Sequence, residues 1–139
     1  MDTNAFIYFL GGEEPYFSIL KPVFRRVQGG ELSFIVSVIT EAELLVRPER
    51  QEDELARERI ADLLSEDGIY VVSVDRRIAR RAAVLRGRSG LKLADAIIVA
   101  TAIETGCDAV VSNDGEWGKK QIDIPFVGLD DIVANQAAP

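Results

Sequence analysis

The segment from Leu93 to Glu104 constrains the fold most, because it has the length of a helix and almost no polar face. Residues 96–100 are all apolar, and Ala102 and Ile103 continue the run. A helix that is apolar on nearly every side has to be enclosed by other elements. We therefore expect this helix to lie deep inside a layered fold.

Short β-branched runs alternate with amphipathic segments along the rest of the chain, and this alternation predicts a central parallel sheet with helices on both faces, a three-layer α/β sandwich. At 139 residues, the chain is expected to be one domain over 1–139. Ser37 and Asp75 can cap the helices that follow them, and Pro48 is expected to end the first of these. The predicted strands are 32–36, 69–74, 109–111 and 125–127, and the predicted helices are 5–10, 16–27, 38–46, 53–65, 76–86, 93–104, 115–119 and 130–135.

The composition limits the chemistry that the chain can perform. It contains no histidine and a single cysteine, Cys107. This excludes histidine-based triads, histidine acid–base catalysis and zinc sites built from histidine or clustered cysteines. The unpaired cysteine, the lack of a signal-peptide pattern and the absence of an apolar run of about 18–20 residues predict a cytoplasmic protein without a membrane span.

Four acidic positions stand at predicted strand exits or helix starts, where ligand sites form in open α/β sheets. Each also has an ordinary structural explanation. Asp2 can cap a helix, Glu43 fits a capping box, Asp95 favours a first helical turn and Asp114 suits a turn. Glu41 and Glu43 lie on opposite flanks of their helix, so periodicity does not choose between them.

Carboxylates that converge without histidine or cysteine would form an oxygen-ligand cage for a hard cation such as Mg²⁺ or Mn²⁺. Such a cage can hold phosphate oxygens and activate water for attack on a phosphodiester. The four acids together therefore indicate a metal-dependent phosphoryl-transfer site.

A basic run follows the middle of the chain. From 76 to 92 there are seven basic residues and no acid, although the net charge of the chain is −7. Arg77, Arg81 and Arg88 fall on one flank of the predicted helix. Two interpretations stay open, a solvated helix face and a track for the phosphate backbone of a nucleic acid.

Four motifs together resemble the PIN-domain family, and in particular the VapC-type toxin ribonucleases of toxin–antitoxin pairs. They are the segments 2–7, 37–45, 93–102 and 110–117, and the resemblance spans nearly the whole chain. It implies that Asp2, Glu43 rather than Glu41, Asp95 and Asp114 bind the metal. It also implies that Asn4, Ser112 and Asn113 orient ligands or water, with Glu116 as a weaker member of the acidic group.

The resemblance implies a metal-dependent endoribonuclease that acts on single-stranded RNA, is silenced by a cognate antitoxin and forms a homodimer. We expect aromatic residues such as Phe17 and Phe24 to line the antitoxin groove. The alternatives are a non-catalytic RNA- or protein-binding module, and a Mg²⁺-dependent phosphatase with Asp2 as nucleophile. The phosphatase usually has a second aspartate two residues on, where this chain has Asn4.

The sequence departs from the family at its start, since only Met1 precedes Asp2, where the family has an apolar first strand. The first strand is therefore expected to be truncated or missing, or the native start to lie upstream.

Overall fold

The computed structural model describes residues 1–137, over which the chain forms eight helices and four short strands. Their order confirms the predicted α/β class, and most elements lie within a few residues of their predicted positions. The helices are α1 (Thr3–Gly11), α2 (Tyr16–Gln28), α3 (Val38–Arg50), α4 (Glu54–Leu64), α5 (Arg76–Ser89), α6 (Leu93–Glu104), α7 (Gly115–Gly118) and α8 (Leu129–Ala137), and the strands are β1 (Phe34–Ser37), β2 (Ile69–Val72), β3 (Val110–Ser112) and β4 (Phe126–Gly128).

The strands are parallel, as predicted, but they form two separate pairs. β1 pairs with β2, with Phe34 opposite Ile69, and β3 pairs with β4, with Val110 opposite Phe126. No hydrogen-bonded strand joins β1 to β3 in the described part of the chain. The central sheet is thus divided at its middle.

Each strand pair has its own apolar core. The first is built on β1, β2 and helices α1 to α4, and includes Phe6 and Phe24. The second surrounds α5 and α6 and includes Leu85, Val99 and Trp117. The burial predicted for α6 is confirmed, because its residues from 98 to 102 are all buried. None of the helices within residues 1–137 is long and apolar enough to cross a membrane.

Local capping explains where the helices begin. The Ser37 hydroxyl accepts from the Ile39 N–H at 3.2 Å, and Asp75 Oδ1 accepts from the Ile78 N–H at 2.8 Å. The prediction that Pro48 ends α3 is wrong, because the helix continues to Arg50. A proline inside a helix removes one backbone donor. Here Pro48 is itself buried, and its carbonyl accepts from the Asp53 N–H at 2.9 Å.

Candidate active site

Four carboxylates from distant parts of the chain line one cavity of about 320 Å³. Asp2 precedes α1, Glu43 lies on α3, Asp95 lies in the first turn of α6 and Asp114 follows β3. Glu41 is not among the lining residues. The other lining residues are Thr3, Asn4, Ile7, Lys92, Ala94 and Trp117.

The topology accounts for this convergence. β1 ends at Ser37 and β3 ends at Ser112, and in a parallel arrangement the carboxyl ends of strands face the same side. α3 starts directly after β1, and Asp114 follows β3 at the start of α7. The cavity therefore takes Glu43 from the helix that follows β1 and Asp114 from the turn that follows β3.

Asp2 is held by backbone and side chain together and is only 6% exposed. Its N–H donates to the Val111 carbonyl at 2.8 Å, and its Oδ2 accepts from the Ser112 hydroxyl at 2.7 Å. The same hydroxyl oxygen accepts from the Asp114 N–H at 2.9 Å. The buried Ser112 hydroxyl therefore contacts both Asp2 and Asp114. Asp2 precedes α1 as an N-cap residue, but its side chain makes no capping bond.

Glu43 is oriented by Thr3, which the sequence reasoning did not assign to the site, and Thr3 in turn lies beside the buried Thr40. Thr3 Oγ1 donates to Glu43 Oε1 at 3.0 Å and lies 3.3 Å from Thr40 Oγ1. Thr40 is fully buried. The available signal was a threonine on the buried face of α3, where a hydroxyl needs a partner. The N-cap of α3 is Ser37 rather than Thr40, so Thr40 and Glu43 do not form the capping box that their spacing allows.

Two of the cavity acids, Asp2 and Asp95, have raised pKa values. Burial raises the pKa of the Asp2 carboxyl, against the opposing effect of the Ser112 hydrogen bond. Burial also raises the pKa of Asp95, and the charges of Asp2, Glu43 and Asp114 raise it further. Both acids would gain from a nearby cation, which favours the ionised form.

The donor set fits a hard divalent cation by its chemistry. Carboxylate and hydroxyl oxygens are the ligands that Mg²⁺ and Mn²⁺ prefer. Lys92 is the basic residue that lines the cavity, and within residues 1–137 it forms no ion pair with the four acids. In the same part of the chain, no three acidic or cysteine side chains stand close enough to hold one ion as they are.

Of the other residues predicted for the site, Asn4 lines the cavity, whereas Asn113 and Glu116 do not. Asn4 lines the cavity and is exposed. Asn113 is not among the lining residues, because its side-chain amide donates to the Tyr8 hydroxyl at 3.2 Å. Glu116 is exposed, pairs with Lys119 at 3.0 Å and does not line the cavity.

Arg77, Arg81 and Arg88 lie on α5 and do not line the cavity. Arg77 and Arg81 both pair with Glu104 at 2.8 Å, and Arg88 pairs with Asp123 at 3.0 Å. The basic run therefore receives acidic partners from other segments. Its role in RNA binding stays a prediction.

The aromatic residues of the first two helices pack against one another inside the chain. Phe24 is 3% exposed, and its ring stacks on Phe9 with centroids 3.8 Å apart. Phe9 also stacks on Phe17, which is half-buried. The expectation that this cluster forms an open groove is wrong for Phe24, because the first core already encloses it.

Comparisons with known proteins agree with this architecture. A family model described as PIN domain matches residues 1–122. A toxin–antitoxin complex from Klebsiella pneumoniae has a similar structure, with 26% identity, a TM-score of 0.69, and 92% of this chain and 94% of that chain covered. No curated protein matches the chain.

Two further solved structures share the fold at lower identity. VapBC2 from Rickettsia felis, bound to a DNA fragment from its promoter, has a TM-score of 0.69 at 16% identity, with 91% and 94% of the two chains covered. FitAcB from Neisseria gonorrhoeae has a TM-score of 0.66 at 18% identity, with 92% and 95% covered.

Proposed function

The chain belongs to the PIN domain family, and from this premise we propose that it is a divalent-metal-dependent endoribonuclease that cleaves single-stranded RNA as the toxin of a toxin–antitoxin pair. The observation that carries the proposal is the cavity in which Asp2, Glu43, Asp95 and Asp114 converge from four separate segments. The similarity to the toxin–antitoxin complex from Klebsiella pneumoniae supports the biological role.

In this proposal, the four carboxylates hold Mg²⁺ or Mn²⁺. When bound, the cation supplies charge stabilisation for the scissile phosphate and lowers the pKa of the attacking water. The chain's own part is to fix the carboxylates. Ser112 orients Asp2 and Asp114, and Thr3 orients Glu43. Such supporting hydrogen bonds set the direction in which a ligand oxygen points.

Lys92 and Asn4 lie beside these acids and are exposed. Both can donate hydrogen bonds to phosphate oxygens of a bound strand. The Trp117 ring is 1% exposed and packs in the second core, so it serves as a wall of the cavity rather than as an open stacking surface for a base.

The proposed partners are an antitoxin protein and a second copy of the chain related by a two-fold axis. Ile7, Val46 and Leu55 are large apolar residues that are 40%, 54% and 59% exposed on α1, α3 and α4. Exposed apolar side chains on neighbouring helices suit a protein interface. We place the antitoxin segment there, with an Arg or Lys from it pairing with the carboxylates in place of the cation.

The test is cleavage of a labelled single-stranded RNA by the purified protein. We expect cleavage to stop in EDTA and to return when Mn²⁺ or Mg²⁺ is added in excess. A small phosphate ester, offered in parallel, should not be hydrolysed. Full RNA cleavage in EDTA would contradict the metal requirement, and hydrolysis of the ester alone would favour the phosphatase. Metal-independent RNA binding without cleavage would favour a binding module.

A further inference from the structure

Two tyrosines connect the turn that carries Asp114 to helix α8. The Asn113 side-chain amide donates to the Tyr8 hydroxyl at 3.2 Å, and the Tyr8 ring stacks on the Tyr16 ring with centroids 4.5 Å apart. The Tyr16 hydroxyl donates to Asp130 Oδ1 at 2.5 Å. We call these four side chains, Asn113, Tyr8, Tyr16 and Asp130, the tyrosine link.

The Asn113 side chain depends on Tyr8 for its orientation. Its bond to the Tyr8 hydroxyl is the one hydrogen bond that this side chain makes within residues 1–137. Its Oδ1 is buried and has no partner among those residues. Loss of the Tyr8 hydroxyl would therefore leave both ends of a largely enclosed amide without a protein partner, which is unfavourable.

Asn113 lies in the turn that sets the position of Asp114. The preceding residue, Ser112, holds this turn to Asp2, since its hydroxyl donates to Asp2 and accepts from the Asp114 N–H. Asn113 holds the same turn to α1 through Tyr8. The backbone before Asp114 is thus fixed at two successive residues. Supporting contacts of this kind set where a ligand oxygen lies.

The other end of the tyrosine link is fixed by the packing of α8. Leu129 is fully buried, and both Leu129 and Ile132 pack in the first core, beside α2. Asp130 is thereby held next to Tyr16, and a hydroxyl that donates to a carboxylate makes a charge-assisted bond. Asp130 lies beyond residues 1–122, which the family model matches, so membership of the family does not by itself imply this contact.

The effects on the Tyr16 hydroxyl indicate that the link is one cluster. Its hydrogen bond to Asp130 raises the pKa of Tyr16, and Asn113 acts in the opposite direction. The Asn113 amide therefore lies near the Tyr16 hydroxyl as well as bonding to that of Tyr8.

We propose that the tyrosine link is a positioning device, in which the packing of α8 on α2 acts through Asp130, Tyr16 and Tyr8 to hold Asn113 and so to place the Asp114 carboxylate for a divalent cation. Tyr8 is the central positioning residue, because its ring contacts Tyr16 and its hydroxyl contacts Asn113. The part that concerns the cation rests on the proposed function, whereas the holding of the turn does not.

The experiment removes single hydroxyl groups from the full chain. Tyr8→Phe deletes the acceptor for Asn113, and Tyr16→Phe deletes the donor to Asp130, while both keep their stacked rings. Tyr70→Phe is the matched control, because Tyr70 is the third tyrosine of the chain and is 56% exposed on β2. The readouts are hydrogen exchange at the amides of the 112–116 segment without metal, Mn²⁺ affinity by calorimetry, and the thermal unfolding midpoint.

We expect Tyr8→Phe to speed exchange at the Asp114 and Glu116 amides by about threefold or more. Mn²⁺ affinity should fall by about tenfold, and the unfolding midpoint should stay within about 3 °C of the parent. Tyr16→Phe should change the same quantities in the same direction but less. The double variant should bind Mn²⁺ no more weakly than Tyr8→Phe alone, because residues of one network are not additive. Tyr70→Phe should match the parent.

Unchanged exchange at these two amides in Tyr8→Phe would overturn the proposal, and so would an Mn²⁺ affinity equal to that of the parent. A large fall in the midpoint with faster exchange along the whole chain would also overturn it, since Tyr8 would then be a general packing residue. If exchange becomes faster only in the 112–116 segment and the parent itself does not bind Mn²⁺, the result would support the holding of the turn and contradict the proposed metal site.

Discussion

The carboxylate cavity and the basic side of α5 carry opposite charge, and they differ in how that charge is balanced. On α5, Arg77 and Arg81 share Glu104, and Arg88 has Asp123. In the cavity, four acids face one lysine, and their mutual repulsion contributes to raising the pKa of Asp95. The basic run is partly neutralised by ion pairs within the fold, whereas none of the four cavity acids has an ion pair among the described residues.

The largest expected loss of RNA cleavage comes from removing the negative charge of one of the four cavity acids. Asp95→Asn keeps the shape of the side chain and removes a negative ligand, on which cation affinity depends. We expect RNA cleavage to fall by about 100-fold or more. Glu58→Gln, an exposed change on α4, is the matched control and should cleave like the parent. A fully active Asp95→Asn variant would remove Asp95 from the site.

A smaller loss of metal affinity or RNA cleavage is expected when the four acids are kept and only the hydroxyl that orients two of them is removed. Ser112→Ala deletes the hydroxyl that donates to Asp2 and accepts from the Asp114 N–H. Loss of such supporting contacts typically costs about 10–100-fold in metal affinity or activity. The Mn²⁺ concentration for half-maximal cleavage should rise, and excess Mn²⁺ should restore part of the rate.

The exposed Ser73→Ala variant is the control for that measurement. An unchanged Mn²⁺ requirement in Ser112→Ala would show that the buried hydroxyl is only structural.

Removing positive charge from α5 tests the other of the two regions compared here. The triple variant Arg77→Gln, Arg81→Gln and Arg88→Gln should weaken RNA binding by about threefold to tenfold and reduce its salt dependence, because counterion release scales with phosphate contacts. Existing ion pairs keep the effect below that of Asp95→Asn. Fluorescence anisotropy over a range of salt concentrations measures both quantities. Binding equal to that of the parent would identify the run as a solvated face.

The smallest expected effect is on the thermal unfolding midpoint of the protein in the absence of metal. Because the folded pKa of Asp95 lies above its ordinary value, the stability that the acid contributes is fully present below its unfolded pKa of about 3.9. That stability is lost as pH rises through the folded pKa. In EDTA at pH 7, Asp95→Asn should therefore raise the unfolding midpoint by about 1–3 °C. The gain should disappear near pH 4, and a gain independent of pH would contradict the electrostatic explanation.

Local patterns in the sequence were sufficient for much of the fold. The burial of α6 follows from an apolar run, and Ser37 and Asp75 cap their helices because capping depends on residues two or three positions away. The segments that carry the four acids could be predicted for the same reason. The choice of Glu43 over Glu41 needed the family resemblance, since both lie beside the buried stripe of α3.

Features that depend on distant segments could not be read from local patterns. Arg81 and Glu104 are 23 positions apart, and nothing near Arg81 indicates an acidic partner. Thr3 and Glu43 are 40 positions apart, so the support of Glu43 was also missed. Pro48 lies inside α3 and is buried by tertiary contacts, which sequence spacing does not describe.

The hydrogen bond between Ser112 and Asp2 spans 110 positions of the chain, and this has a consequence for the time at which the site forms during translation. A ribosome adds about 5–20 residues per second, so Asp2 waits roughly 5–20 s for its partner to be made. Asp114 and the Val111 carbonyl arrive in the same interval. A nascent chain therefore lacks the assembled carboxylate cavity until its final quarter is synthesised. Until Asp114 has been made, the three earlier acids, Asp2, Glu43 and Asp95, are present without the fourth.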